Sequence, residues 1–125
     1  MSSVIDTIHK KKQDEELIDF CTDKMLELAG TIDEIWHDYY KSGVKWDKIH
    51  EAIEEFNEKY GDICGVEASA KPKGISTHLS RWTGWRQTRY GDPQYCMPWY
   101  GGYVYCVVFD IEDPALRKKY ASMLL

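Results

Sequence analysis

A chain of 125 residues that is 43% hydrophobic and 30% charged is long enough to bury one core and too apolar for a disordered tail. Its net charge of −5 argues against a partner such as long duplex nucleic acid, whose binding depends on many neutralised phosphates. No run approaches the roughly 18 apolar residues of a membrane span, so no membrane partner is expected.

The N-terminal sequence Met1-Ser2-Ser3-Val4-Ile5-Asp6 carries no apolar run fit for a signal peptide, which predicts a cytoplasmic location. In that compartment the four widely spaced cysteines, Cys21, Cys64, Cys96 and Cys106, are expected as free thiols.

Along the chain, Val4, Ile5 and Ile8 form a short apolar patch that His9-Lys10-Lys11-Lys12-Gln13-Asp14-Glu15-Glu16 interrupts. Residues 1–12 therefore read either as a flexible arm or as the start of a long helix with a solvated middle. Leu17, Ile18, Cys21, Met25 and Leu28 share one helical stripe, and Gly30 marks its expected end. Thr31-x-x-Glu34 has the form of a capping box, opening a short second helix with Ile32, Ile35, Trp36, Tyr39 and Tyr40 on one face. Trp46, Ile49, Ile53, Phe56 and Tyr60 step by three and four and predict a third, with Gly61 in the left-handed position after its end.

The period then changes. Cys64, Val66 and Ala68 alternate as a short strand, and Lys71-Pro72-Lys73-Gly74 reads as a turn. Residues 75–90 fit strands turning at Thr83-Gly84, or a helix capped by Ser76. Gly91-Asp92-Pro93 is a turn, and Tyr100-Gly101-Gly102-Tyr103 a hairpin connection. Pro98 lacks an N–H and places its strand at a sheet edge, whereas the apolar run Tyr103 to Ile111 predicts a central strand. Asp113-Pro114 starts a closing helix that Ala115, Leu116, Tyr120 and Met123 can pack. The whole reads as a single α+β domain over 1–125. It has three N-terminal amphipathic helices, a meandering antiparallel sheet of four to five strands and one C-terminal helix.

Charge is split along the chain. Residues 1–67 hold 17 Asp/Glu against 8 Lys, a balance of −9, and residues 68–125 hold 4 against 8 Lys/Arg, a balance of +4. The stretch Gly74–Tyr90 contains Arg81, Arg86, Arg89, Trp82, Trp85, Tyr90 and His78 with no carboxylate among them. Arginine makes forked hydrogen bonds to phosphate, and the rings stack on bases or sugars. These seven residues are the candidate ligand site of a small non-catalytic binding protein taking a nucleotide or a short single strand. The plain alternative pairs the arginines with carboxylates of the helical half.

Cys64, His78, Cys96 and Cys106 lack the close spacing of a structural zinc site, and Glu34-x-x-His37 and His50-x-x-x-Glu54 lack inward-facing glutamates. No metal or cofactor is assigned. No local signature orders a Cys or Ser against a His, and there is no phosphate-binding glycine loop, so no catalytic residue is assigned and the balance leans away from an enzyme. The competing reading is a protein-interaction module or inhibitor, acting through exposed Trp, Tyr and Arg or through the acidic helical face. A homo-oligomer is compatible with either reading, and a small enzyme without a readable motif is a further alternative.

Overall fold

The computed structural model describes residues 3–38, 42–73, 83–98 and 104–125. Helix α1 (Ser3–Asp38) is followed by α2 (Ser42–Phe56), a π-helical turn (Asn57–Gly61) and a last helical turn, α3 (Asp62–Cys64). Strands β1 (Val66–Lys73), β2 (Gly84–Gln87), β3 (Pro93–Pro98) and β4 (Val104–Ile111) precede α4 (Pro114–Leu124). The strands form one antiparallel sheet in the order β1-β4-β3-β2. The α+β class and the closing helix are as expected. The division of the helical half is not.

Two expected helices are one. Gly30 does not end α1, because the buried stripe continues across it: Cys21, Met25, Leu28, Ala29, Ile32 and Trp36 are all buried on one side. Gly30 itself is exposed, with nothing within 4 Å of where a Cβ would stand. A glycine inside a helix costs about 1 kcal/mol, less than burying Ile32 and Trp36 returns. With the helix unbroken, Thr31 is an interior residue and caps nothing.

The third expected helix is α2, continued by the π turn and α3. Gly61 is not in the left-handed position, since its φ is −54°; Gly65 is, at φ +63°. At Gly61 a Cβ would stand 3.2 Å from the Val66 carbonyl oxygen, a tight contact that glycine avoids. The π turn brings Asn57 against the outer edge of β1. Its Nδ2 donates to the Ala68 carbonyl at 2.9 Å, and its Oδ1 accepts from the Ala68 N–H at 2.8 Å. One side-chain amide thus takes the place of a neighbouring strand.

β1 runs through Lys71 and Pro72 to Lys73, where a turn was expected. Pro72 is tolerated because β1 is an edge strand, and ladder alternation from Ala68 turns its missing N–H outward. Cys64 belongs to α3 rather than to a strand. β4 is interior as expected, but β3 is interior too, contrary to the reading of Pro98. That proline sits at the end of β3, opposite Val104, whereas β2 pairs only with Pro93 to Cys96. The proline therefore breaks no ladder bond to β2. Gly84–Gln87 is strand. Residues 74–82 and the expected Gly101-Gly102 connection lie outside the described residues.

Alternation divides the sheet into two faces. Val66 and Ala68 of β1, Tyr105, Val107, Phe109 and Ile111 of β4, and Met97 of β3 pack with the helices in one core. Tyr105 lies between Trp36, stacked at 5.6 Å, and Trp46, edge-on at 4.9 Å. On the other face Cys96, Cys106 and Val108 form a smaller buried group. In α4, Asp113 accepts from the N–H groups of Ala115 and Leu116, as its cap role requires. Tyr120, Ala121 and Leu124 are its buried residues; Met123 is 51% exposed and does not pack as expected.

The cysteines correct a further expectation. All four are paired, Cys21 with Cys64 and Cys96 with Cys106. Wide spacing in sequence is no measure of distance in the fold. The α1 stripe carries Cys21 to α3, and the β3–β4 register sets Cys96 directly opposite Cys106.

Burial raises the phenol pKa values of Tyr105 and Tyr120, Tyr120 to about 12. Tyr120 also donates to the Cys64 carbonyl at 2.9 Å. Both groups are neutral in folded and unfolded chains below the ordinary tyrosine value of about 10, so their contribution is complete there. Above it the unfolded chain loses protons first, and stability falls with rising pH by up to roughly 1.4 kcal/mol per pH unit per tyrosine. Urea melts between pH 9 and 12 should show this decline, and Tyr120→Phe should make it shallower. A flat profile above pH 10 would contradict the burial of these hydroxyls.

Candidate functional site

Of the seven expected ligand residues, His78, Arg81 and Trp82 lie outside the described residues. The other four go to three different places. Strand alternation turns Trp85 towards the helices, where its ring stacks on Phe109 at 5.6 Å and meets Tyr95 edge-on at 5.4 Å. Its neighbour Arg86 therefore lies on the opposite face, across from Gln94. It is half-buried and engaged within the fold.

Arg89 and Tyr90 sit together on the turn between β2 and β3, both exposed, Tyr90 at 74%. That turn is closed by Thr88 N–H to Asp92 O at 2.8 Å and Gly91 N–H to Thr88 O at 3.0 Å, with Gly91 at φ +92°. Of the four described residues, only Arg89 and Tyr90 are thus brought together on open surface.

A cavity lies at the same end of the sheet as this turn, on the side of β1 and β4. It is an open groove of about 1090 Å³ between the start of β1, the end of β4 and the first turn of α4. Asp62, Glu67, Asp110, Glu112 and Asp113 line it, and all five carboxylates are exposed. Val66 and the half-buried Leu116 supply apolar lining.

The one basic residue of the lining, Arg117, is already committed. Its Nε lies 3.0 Å from Asp92 Oδ1. Its Nε and Nη2 also donate to the Ile111 carbonyl at 3.1 and 2.8 Å, and its Nη1 to the Tyr90 carbonyl at 3.1 Å. Asp92 in turn accepts from the Ile111 N–H at 3.2 Å. This network ties α4 to the β2–β3 turn and cancels the arginine's charge locally. The groove is left strongly negative.

Within it Glu67 and Asp110 are direct cross-strand partners. Like charges opposite each other in an antiparallel pair are destabilising. A cation or a basic side chain bound between them removes that cost.

The sequence shows Asp110-Ile111-Glu112-Asp113 plainly, but there it reads only as a strand end and a cap. Nothing in the sequence brings Glu67 beside it, because the β1–β4 register is a long-range property. Comparison with protein-family models, with curated proteins and with solved structures finds no match, so no function is inherited from a relative. Among the described residues no helix is long and apolar enough to cross a membrane.

Proposed function

We propose that this chain is a non-catalytic protein-interaction module whose acidic groove takes a basic, extended segment of a partner protein. The observation that carries the reading is the cross-strand pair Glu67 and Asp110 inside an open groove with a partly apolar lining. Its volume lies at the upper limit of small-molecule sites, which run about 300–1,000 Å³ and are mostly apolar and concave. An open acidic groove suits Lys or Arg side chains on an extended backbone, with electrostatic complementarity setting on-rate and partner choice.

The test is titration of a Lys/Arg-rich peptide into wild type and into Glu67→Gln/Asp110→Asn. Removing the like-charge pair should leave stability unchanged or raise it by up to about 1 kcal/mol. Peptide binding should weaken by roughly tenfold, with a shallower dependence on salt. Absence of binding by wild type, or equal binding by the variant, would refute the groove.

The phosphate-ligand reading retains a specific support in the exposed pair Arg89 and Tyr90. It expects a nucleotide to raise the wild-type melting temperature and Arg89→Ala to abolish that rise. A cytoplasmic location belongs to the same proposal. It requires the two cysteine pairs to stand open there, because cytosolic reductants keep such thiols reduced.

A further inference from the structure

Helix α1 is 36 residues, about 54 Å at 1.5 Å per residue, but only its C-terminal part is held by the core. Every described side chain from Val4 to Leu17 is exposed, and Cys21 is the first buried residue among those described in the helix. The exposed residues include Val4 at 70% and Ile8 at 59%, one turn apart on one side of the helix. Isolated helices shorter than about 12–15 residues are marginal in water, so a free segment of this length calls for a covering surface.

The charges say what covers it. Residues 10–12 are all lysine and residues 14–16 are Asp14, Glu15 and Glu16, with Gln13 between them. Two such helices laid antiparallel, with a twofold axis at the level of Gln13, place the basic block of each beside the acidic block of the other. The same operation carries residue 8 onto residue 18, so Ile8 meets the partner's Ile18. Ile18 is half-exposed and stands where the core begins. Parallel pairing in register would instead set lysine against lysine. A pattern that complements itself under a twofold rotation is what an isologous dimer interface requires.

We propose that the exposed N-terminal half of α1 is a dimerisation arm, pairing antiparallel with the same segment of a second copy of this chain. The apolar side chains supply contact area, and the charge blocks fix orientation and register. The acidic groove is lined by none of these residues, so this inference stands or falls independently of the proposed function.

The experiment is sedimentation equilibrium of the full chain over a wide concentration range, with two charge variants. Lys10→Glu/Lys12→Glu leaves Lys11 as the one base between residues 10 and 16, and Asp14→Lys/Glu16→Lys leaves Glu15 as the one acid there. All four positions are exposed, so circular dichroism and melting of the folded body serve as the control. Wild type is expected to dimerise. Each variant alone should dissociate at least about tenfold more readily, and an equimolar mixture of the two should recover a dimer containing one of each. The fourfold exchange, with both pairs of substitutions in one chain, should restore self-association. A wild type that is monomeric throughout would overturn the proposal. So would a dimer that is indifferent to both variants, or a mixture that fails to associate.

Discussion

Replacing Cys21 and Cys64 together by alanine is expected to lower stability by roughly 4 kcal/mol in non-reducing buffer. The pair joins α1 to α3 across a sequence separation of 43 residues, so its cross-link removes a large loop from the freedom of the unfolded chain. Both residues are essentially inaccessible to solvent, at 0% and 1% exposure, so core packing is lost as well. Cys96 and Cys106 are separated by only 10 residues and lie on adjacent strands, and the same loop argument gives about 3 kcal/mol for that pair.

Urea melts of wild type and the two double variants, each with and without reductant, separate these contributions. Reductant should destabilise wild type, and its effect on Cys21→Ala/Cys64→Ala should shrink to that of the remaining pair. A wild type indifferent to reductant, with four titratable thiols in unfolded unreduced protein, would show that the pairs do not form in solution.

What the sequence reveals here follows the range of the interaction. The three-four spacing of Cys21, Met25, Leu28, Ile32 and Trp36 is visible in the sequence, and those residues are core. Local punctuation competes with that spacing and loses at Gly30, because the stripe on either side is buried in the same core. At Asp113-Pro114 nothing competes, and the cap forms as the dipeptide implies. Pro98 misled for a related reason. A proline reports on its own N–H, not on how far the neighbouring strand extends, and β2 is short enough to leave it alone.

The candidate sites follow the same logic. An acid-free run such as 74–90 draws notice in the sequence, yet alternation along β2 sends Trp85 and Arg86 to opposite faces. The acidic groove goes unnoticed in the sequence, because Glu67 and Asp110 lie 43 residues apart and meet only through the β1–β4 register. Chemistry shared across two strands becomes visible only when the pairing is known.

Phe109→Ala is expected to cost about 3–5 kcal/mol, the usual range for removing a fully buried aromatic ring. Phe109 is 0% exposed on β4, which lies between β1 and β3. Phe56 meets its ring edge-on at 5.9 Å from α2, and Trp85 stacks on it at 5.6 Å from β2. It is therefore the point where a helix and the far edge strand share one contact. Trp85→Ala should cost less, about 2–3 kcal/mol, because Trp85 is only half-buried.

The double variant distinguishes a structural Trp85 from one held for a ligand. If the tryptophan packs as described, the two losses are not additive, and the cycle returns a coupling of about 1 kcal/mol for the stacked pair. If Trp85 instead served a phosphate-bearing ligand from the surface, its removal would leave the urea midpoint nearly unchanged and the coupling would vanish. A stable Trp85→Ala would return that ring to the ligand site read from the sequence, whereas a strongly destabilised one assigns it to the core and leaves Arg89 and Tyr90 as the exposed residues of that site among those described.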